Sequence, residues 1–215
     1  MSAANYLRIM LVDDHAVVRS GIRRLLEQDA RFNIVAEAES GEKAYQLFST
    51  HLPDLTVMDL TMPGMGGLEA IRRIVARFPD ANILVLSMHE NAAFANHALK
   101  AGAKGYLTKS DLAEELTNAL EKMAGGKIYI SSEMARKICF QSAENEGNPM
   151  LQLSTREFEI FNLLADGQDI DKISHALNIS CKTVSNYQTA IKQKLGINSP
   201  VDIFRIAIRY GLITI

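Results

Sequence analysis

Residues 7–14 read L-R-I-M-L-V-D-D, an apolar run of strand length that closes on two carboxylates. The figure recurs downstream. Leu55-Thr56-Val57-Met58 ends in Asp59, Ile83-Leu84-Val85-Leu86 in Ser87, and Gly105-Tyr106-Leu107-Thr108 in Lys109. Helical patterns fill the gaps at 16–27, 41–50, 66–77, 91–100 and 111–122, with apolar residues such as Leu68, Ile71, Ile74 and Val75 three and four apart. Strands alternating with helices predict a doubly wound α/β domain, with five parallel strands covered on both faces. In such a sheet, ligands bind at the carboxyl ends of the strands where the strand order reverses. Asp13, Asp14, Asp59, Ser87 and Lys109 therefore converge on one pocket.

Carboxylates packed this closely repel one another, and protonation or a bound cation relieves the repulsion. Oxygen ligands suit Mg2+, which takes one or two carboxylates together with waters and phosphate oxygens. A carboxylate can also be the nucleophile in phosphoryl transfer, forming an acyl phosphate. Lys109 then pairs with the phosphoryl group while Ser87 donates a hydrogen bond to it. An isolated Asp at a strand end is commonly a helix N-cap or a turn residue. Five polar residues at four strand ends, at βα spacing, are poorly explained that way.

With L-V-D-D-H at 11–15, M-D-L-T-M-P-G-M-G-G at 58–67, L-S-M at 86–88 and Y-L-T-K at 106–109, this part resembles the flavodoxin-like receiver domain of bacterial two-component response regulators. The resemblance implies that Asp59 is the phosphoacceptor and that Asp13, Asp14, Asp59 and the backbone carbonyl of Thr61 hold Mg2+. It further implies that Ser87 and Lys109 read the phosphoryl oxygens and that Tyr106 is an aromatic switch. Ser110 stands where many receivers have proline, so no cis bond is implied after Lys109. His15 and His89 are read as hydrogen-bonded rim residues rather than metal ligands. Thr61 and His89, each two residues past a site residue, are placed to tune hydrolysis by governing water access.

Gly125-Gly126 closes the receiver-like domain, taken as residues 1–125. Residues 126–150 read as a linker: a short amphipathic stretch, Ser132 to Phe140, then a flexible polar run, Gln141 to Pro149. From 151 to 215 the pattern is all-α. Ser154-Thr155-Arg156-Glu157 is a capping box opening a helix that Gly167 stops. Asp169 begins a second helix, Asn178-Ile179-Ser180 turns, and Ser180 caps a third that carries Val184, Ile191 and Leu195 inward. This is a helix-turn-helix, whose second helix enters the major groove.

L-S-T-R-E at 153–157, L-L-A-D-G at 163–167, I-S-H-A-L-N-I-S at 173–180, T-V at 183–184, K-L-G-I at 194–197 and G-L-I at 211–213 make this segment similar to the LuxR-type DNA-binding domain. The whole chain thus resembles a response regulator of the NarL/FixJ family, and S-C-K with T-V-S-N-Y leans toward the GacA/UvrY subgroup. Ser185, Asn186 and Thr189 share an outward face and suit base-edge contacts, Asn being able to bond adenine in a bidentate way. Lys182, Thr183, Tyr187, Lys192 and Lys194 are the expected phosphate contacts, with a solvated helix face as the bland alternative for each. The common T-V-K is here T-V-S, so Ser185 removes one lysine contact usual in the family.

Charge agrees locally rather than globally. The net charge of -2 argues against a strongly basic nucleic-acid binder, yet residues 177–201 contain three lysines and no acidic residue. At 47% hydrophobic and 22% charged, the composition is that of an ordinary globular protein. No apolar run approaches the roughly 20 residues that span a membrane, and no cleavable signal pattern is present, so a cytoplasmic location without membrane contact is expected. Cys139 and Cys181 have no metal-like spacing, and a redox role for Cys181 at a helix start is the minor reading. The implied partners are a sensor histidine kinase or small phosphodonor, promoter DNA, a second copy of the chain when phosphorylated, and RNA polymerase. Two rivals remain: a constitutive DNA binder whose receiver is a dimerisation scaffold, and a phosphatase with an aspartyl intermediate. The intact acidic set argues against the first and the helix-turn-helix against the second, leaving a regulator rather than an enzyme.

Overall fold

The computed structural model describes residues 6–144 and 148–213, whose contacts form two compact units, residues up to 90 with 98–132, and 91–97 with 133 onward. Up to residue 130 the elements are β1 (Leu7–Val12), α1 (Ala16–Leu26), β2 (Phe32–Ala38), α2 (Gly41–His51), β3 (Leu55–Met58), α3 (Gly67–Arg77), β4 (Ile83–Ser87), α4 (Ala92–Ala101), β5 (Gly105–Thr108), α5 (Leu112–Ala124) and β6 (Tyr129–Ile130). The strands are all parallel in the order β2-β1-β3-β4-β5-β6. The order reverses between β1 and β3, so the pocket expected at a switch point lies between those two carboxyl ends.

The sheet has six strands, which corrects the expected five. After Gly126, whose φ is +77°, the chain returns and pairs Tyr129 with Gly105 and Ile130 with Tyr106. Two paired residues are too few to show a period in sequence. They fall within the segment read as linker, as does α6 (Ser132–Glu144), which runs past the expected end at Phe140. Residues 145–147, at the heart of the expected flexible run, lie outside the described residues.

Both faces of the sheet are buried, which is why its strands read as continuous apolar runs. Ile9, Leu11, Leu55, Val57, Leu84, Leu86 and Leu107, two apart along each strand, join Ile22 and Leu26 of α1 and Leu116, Leu120 and Met123 of α5 in one cluster. Met10, Met58, Ile83, Val85 and Tyr106 alternate with them and are buried on the other face. Each such aliphatic side chain stabilises the fold by roughly 1.5–3 kcal/mol.

One close approach fixes the loop after β3. Gly67 N donates to Leu60 O at 2.9 Å, and a Cβ on Gly67 would stand 2.0 Å from Asp59 O and 2.7 Å from Leu60 Cα. Gly67→Ala is expected to push this loop away from Asp59 and to cost about 1–3 kcal/mol, as overpacking does. A melting temperature equal to that of the wild type would show instead that the loop yields freely.

The remainder is helical: a 3-10 turn at Pro149–Gln152, then α7 (Thr155–Ala165), α8 (Ile170–Ala176), α9 (Cys181–Leu195) and α10 (Pro200–Arg209). The expected capping box is formed: Ser154 Oγ accepts from Glu157 N at 3.3 Å, and Ser154 N donates to Glu157 Oε2 at 2.6 Å. Gly167, at φ +78°, takes the left-handed conformation that ends α7. Asp169 and Ser180 cap α8 and α9 as expected, and Asn178 turns between these helices at φ +50°. Phe161, Ile173, Val184, Ile191, Ile203 and Ala207 form the buried interior of the helices. Among the described residues no helix is long and apolar enough to cross a membrane.

Candidate functional site

Strand register brings the site together. Val12 pairs with Met58, so Asp13 and Asp59 each lie one residue past a paired end; Ser87 pairs with Thr108, immediately before Lys109. Asp13 N donates to Ala38 O at 3.2 Å and Asp59 N to Val12 O at 2.8 Å, extending the ladders into the site. Asp13 and Asp59 are 2% and 4% exposed and Ser87 is fully buried, so their charges and dipoles act in a medium of low dielectric.

Lys109 Nζ donates to Asp13 Oδ2 at 2.7 Å and to Asp59 Oδ2 at 2.8 Å. The other oxygens differ. Asp13 Oδ1 accepts from His15 N at 2.8 Å, whereas Asp59 Oδ1 has only a longer bond, 3.3 Å, from Thr61 N. Burial pushes the Asp59 carboxyl above its ordinary range; the Lys109 ammonium works against that shift and the Asp13 charge with it. For Lys109, burial opposes the charge, but the hydrogen bonds to Asp13 and Asp59 prevail and hold the ammonium above its ordinary value.

Asp13, Asp14, His15 and Asp59 each offer one ligand atom, and these four atoms lie within 4.8 Å of one another. Asp14 Oδ1 is buried and accepts no hydrogen bond, although His15 Nδ1 is 2.9 Å away. Buried polar atoms are nearly always satisfied. A buried, unsatisfied carboxylate oxygen in an oxygen-rich set fits a hard divalent cation.

Tyr106 and His89 lie next to Ser87, the first buried and the second half-buried. Tyr106 is fully buried, its hydroxyl donates to His89 O at 2.7 Å, and burial pushes its phenol well above the ordinary range. His89 N donates to Ser87 Oγ at 3.1 Å, and its Nε2 lies 3.3 Å from Thr61 Oγ1, so the two expected water-governing side chains meet. Burial depresses the His89 imidazole pKa. Arg19 also supports the site without a signal in the sequence: its guanidinium donates to Asp13 O at 2.6 Å and to Glu37 Oε2 at 3.3 Å. Six residues separate Arg19 from Asp13, and no local pattern links them.

On α9, Lys182, Asn186, Thr189 and Lys194 are exposed, while Thr183, Ser185, Tyr187 and Lys192 are half-buried. Val184 and Ile191 are buried opposite them, giving the helix the two faces its sequence implies. Ser185 Oγ donates to Cys181 O and Thr189 Oγ1 to Ser185 O, both at 3.0 Å, so both hydroxyls are engaged with their own helix. Lys194 Nζ donates to Glu157 Oε2 at 2.5 Å and ties α9 to α7. That bond holds the Glu157 carboxyl below its ordinary range in spite of burial, which acts to raise it.

Residues 9–121 match the response regulator receiver domain, and residues 151–207 match the bacterial regulatory proteins of the luxR family. The response regulator UvrY of Escherichia coli strain K12 is 38% identical over 96% of this chain and 95% of its own. The response regulator GacA of Pseudomonas aeruginosa is 35% identical over 96% of this chain and 98% of its own. RcsB from Salmonella enterica serovar Typhimurium, solved on the promoter P1flhDC with the phosphomimetic BeF3-, is 29% identical with a TM-score of 0.71. That match covers 94% of this chain and 98% of RcsB.

Proposed function

This chain belongs to the response regulators that join a receiver domain to a LuxR-type DNA-binding domain, and from that premise we propose how its own residues carry phosphorylation-dependent control of transcription. The observation that carries the reading is the ammonium of Lys109 held between Asp13 and Asp59 at the switch point of the sheet. A sensor histidine kinase or a small phosphodonor supplies the phosphoryl group. Asp59 Oδ1, the less engaged oxygen, attacks phosphorus; a P–O bond forms, and the donor's bond to phosphorus breaks with its electron pair staying on the donor. Asp13, Asp14, Asp59 and the Thr61 carbonyl would hold Mg2+, which would supply positive charge against the negative charge gathered on the phosphoryl oxygens. Lys109 and Ser87 then bind those oxygens, while Thr61 and His89 govern the approach of water. The limited self-phosphorylation and dephosphorylation at Asp59 is the extent of its catalysis.

Phosphorylation adds about -1.5 to -2 charge at this point. Drawing Lys109 and Ser87 onto the new oxygens biases the ends of β4 and β5, and with them the Tyr106 to His89 bond. The readout is a two-fold homodimer bound to two half-sites of promoter DNA, with RNA polymerase as the onward partner. With β6 counted in its sheet, we assign residues 1–130 to the receiver, 131–150 to the linker and 151–215 to the DNA-binding domain, all acting in the cytoplasm.

At the DNA, Asn186 is the leading candidate for a base contact, with Ser185 and Thr189 beside it. Lys182, Thr183, Tyr187 and Lys192 face phosphates, and Lys194, held on Glu157, offers less of its charge. Asn186→Ala is expected to cost about 1–3 kcal/mol and to relax preference at one base pair, whereas Lys182→Ala weakens all sequences alike and lowers the salt slope by about one. Fluorescence anisotropy on selected and scrambled duplexes over a salt series separates the two. Equal losses for Asn186→Ala on both duplexes would remove it from base recognition.

A further inference from the structure

His15 is the N-cap of α1, yet its side chain makes no capping hydrogen bond. Caps are normally Ser, Thr, Asp or Asn, whose oxygens bond the first turn. The imidazole is turned instead toward the carboxylates: Nδ1 lies 3.2 Å from Asp13 Oδ1 and 2.9 Å from Asp14 Oδ1. A ring nitrogen of His15 therefore belongs to the four-residue ligand group, close to the unsatisfied Asp14 Oδ1. The ring is largely exposed, with 64% of its side-chain surface open, so it can rotate without disturbing the core.

Mg2+ takes oxygen ligands and has little use for an imidazole, whereas Co2+, Ni2+ and Zn2+ favour one. Resting on the assignment of the divalent site above, we infer that His15 is a fourth side-chain ligand for late first-row divalent cations and sets a preference for them over Mg2+. The same pocket then has two loading states, one by oxygen atoms alone and one that includes the imidazole. The bland alternative is that His15 serves only as a hydrogen-bonding neighbour of Asp13 and Asp14. In that case its removal changes the affinity for both classes of ion alike.

The test is calorimetric titration of the full-length protein with MgCl2 and with CoCl2, using wild type, His15→Ala and Asp14→Asn, together with the visible absorption spectrum of bound Co2+. His15→Ala is expected to weaken Co2+ by about tenfold or more, the scale at which groups supporting metal ligands act. It should leave Mg2+ affinity within error and shift the Co2+ bands as a nitrogen donor is lost. Equal Co2+ affinity and an unchanged spectrum in His15→Ala would overturn the inference while leaving the site standing. An equal loss of both ions in that variant would overturn it too. Failure of the wild type to bind either ion in a manner sensitive to Asp14→Asn would remove the underlying site assignment, and the inference with it.

Discussion

Asp59→Ala is expected to take up no phosphoryl group from acetyl phosphate and Mg2+, under conditions where the wild type gains one that hydroxylamine removes. Asp13 and Asp59 are nearly equivalent in depth, so burial alone does not choose between them. Their hydrogen bonds do. Asp13 has Oδ1 on His15 N at 2.8 Å and Oδ2 on Lys109 at 2.7 Å, whereas Asp59 keeps Oδ1 on a bond of only 3.3 Å. The second carboxylate also lies beside the strand that ends in Ser87, because Met58 pairs with Val85. Intact-mass measurement before and after hydroxylamine decides the point. Labelling of Asp59→Ala at the wild-type level would move the acceptor to another group.

Lys109→Ala should be the most destabilising single change at the site, and the loss should depend on cation. The ammonium is the bridge between two buried carboxylates and is itself only 12% exposed in its side chain. Removing one partner of a buried ion pair typically costs 3–5 kcal/mol, because the remaining charge is left uncompensated. Here two carboxylates are left, with Asp14 beside them. About 3 kcal/mol is therefore expected to be lost in EDTA. Mg2+ should restore more stability to the variant than it adds to the wild type, since a second positive charge is missing only in the variant. Urea denaturation with EDTA and with Mg2+ gives both numbers. A variant as stable as wild type in EDTA would mean that the carboxylates are relieved without Lys109.

The elements legible in sequence are those whose pattern is local. β1, β3, β4 and β5 are buried on both faces and end in site residues, so their runs announce themselves. Phe32–Ala38 is different: β2 is an edge strand with Asn33 exposed and the stretch from Ile34 to Glu37 half-buried, and its register with β1 shifts between Ile9 and Met10. No residue of the pocket follows it, so neither periodicity nor chemistry singles it out. The sixth strand was hidden by its two-residue length. α10 could have been found, since Ser199-Pro200 with Asp202 is a capping box with proline at the first helical position.

The pocket was legible for a related reason. Its residues sit at fixed offsets from strand ends, and parallel register turns those offsets into proximity. The supports of the pocket were not legible, because Arg19 reaches Asp13 and Glu37 from another element. Lys194 shows the same limit on the DNA side: its helical spacing gives it an outward position, while its bond to Glu157 comes from the packing of α7.

Binding of the full-length protein to a pool of upstream-region duplexes from its own genome, with Mg2+ and with or without beryllofluoride, tests the central claim most directly. Beryllofluoride is expected to raise the fraction of DNA bound and the oligomeric mass in the wild type, and to change neither in Asp59→Ala. Tight binding that beryllofluoride leaves untouched in the wild type, or the same rise in Asp59→Ala, would contradict the claim.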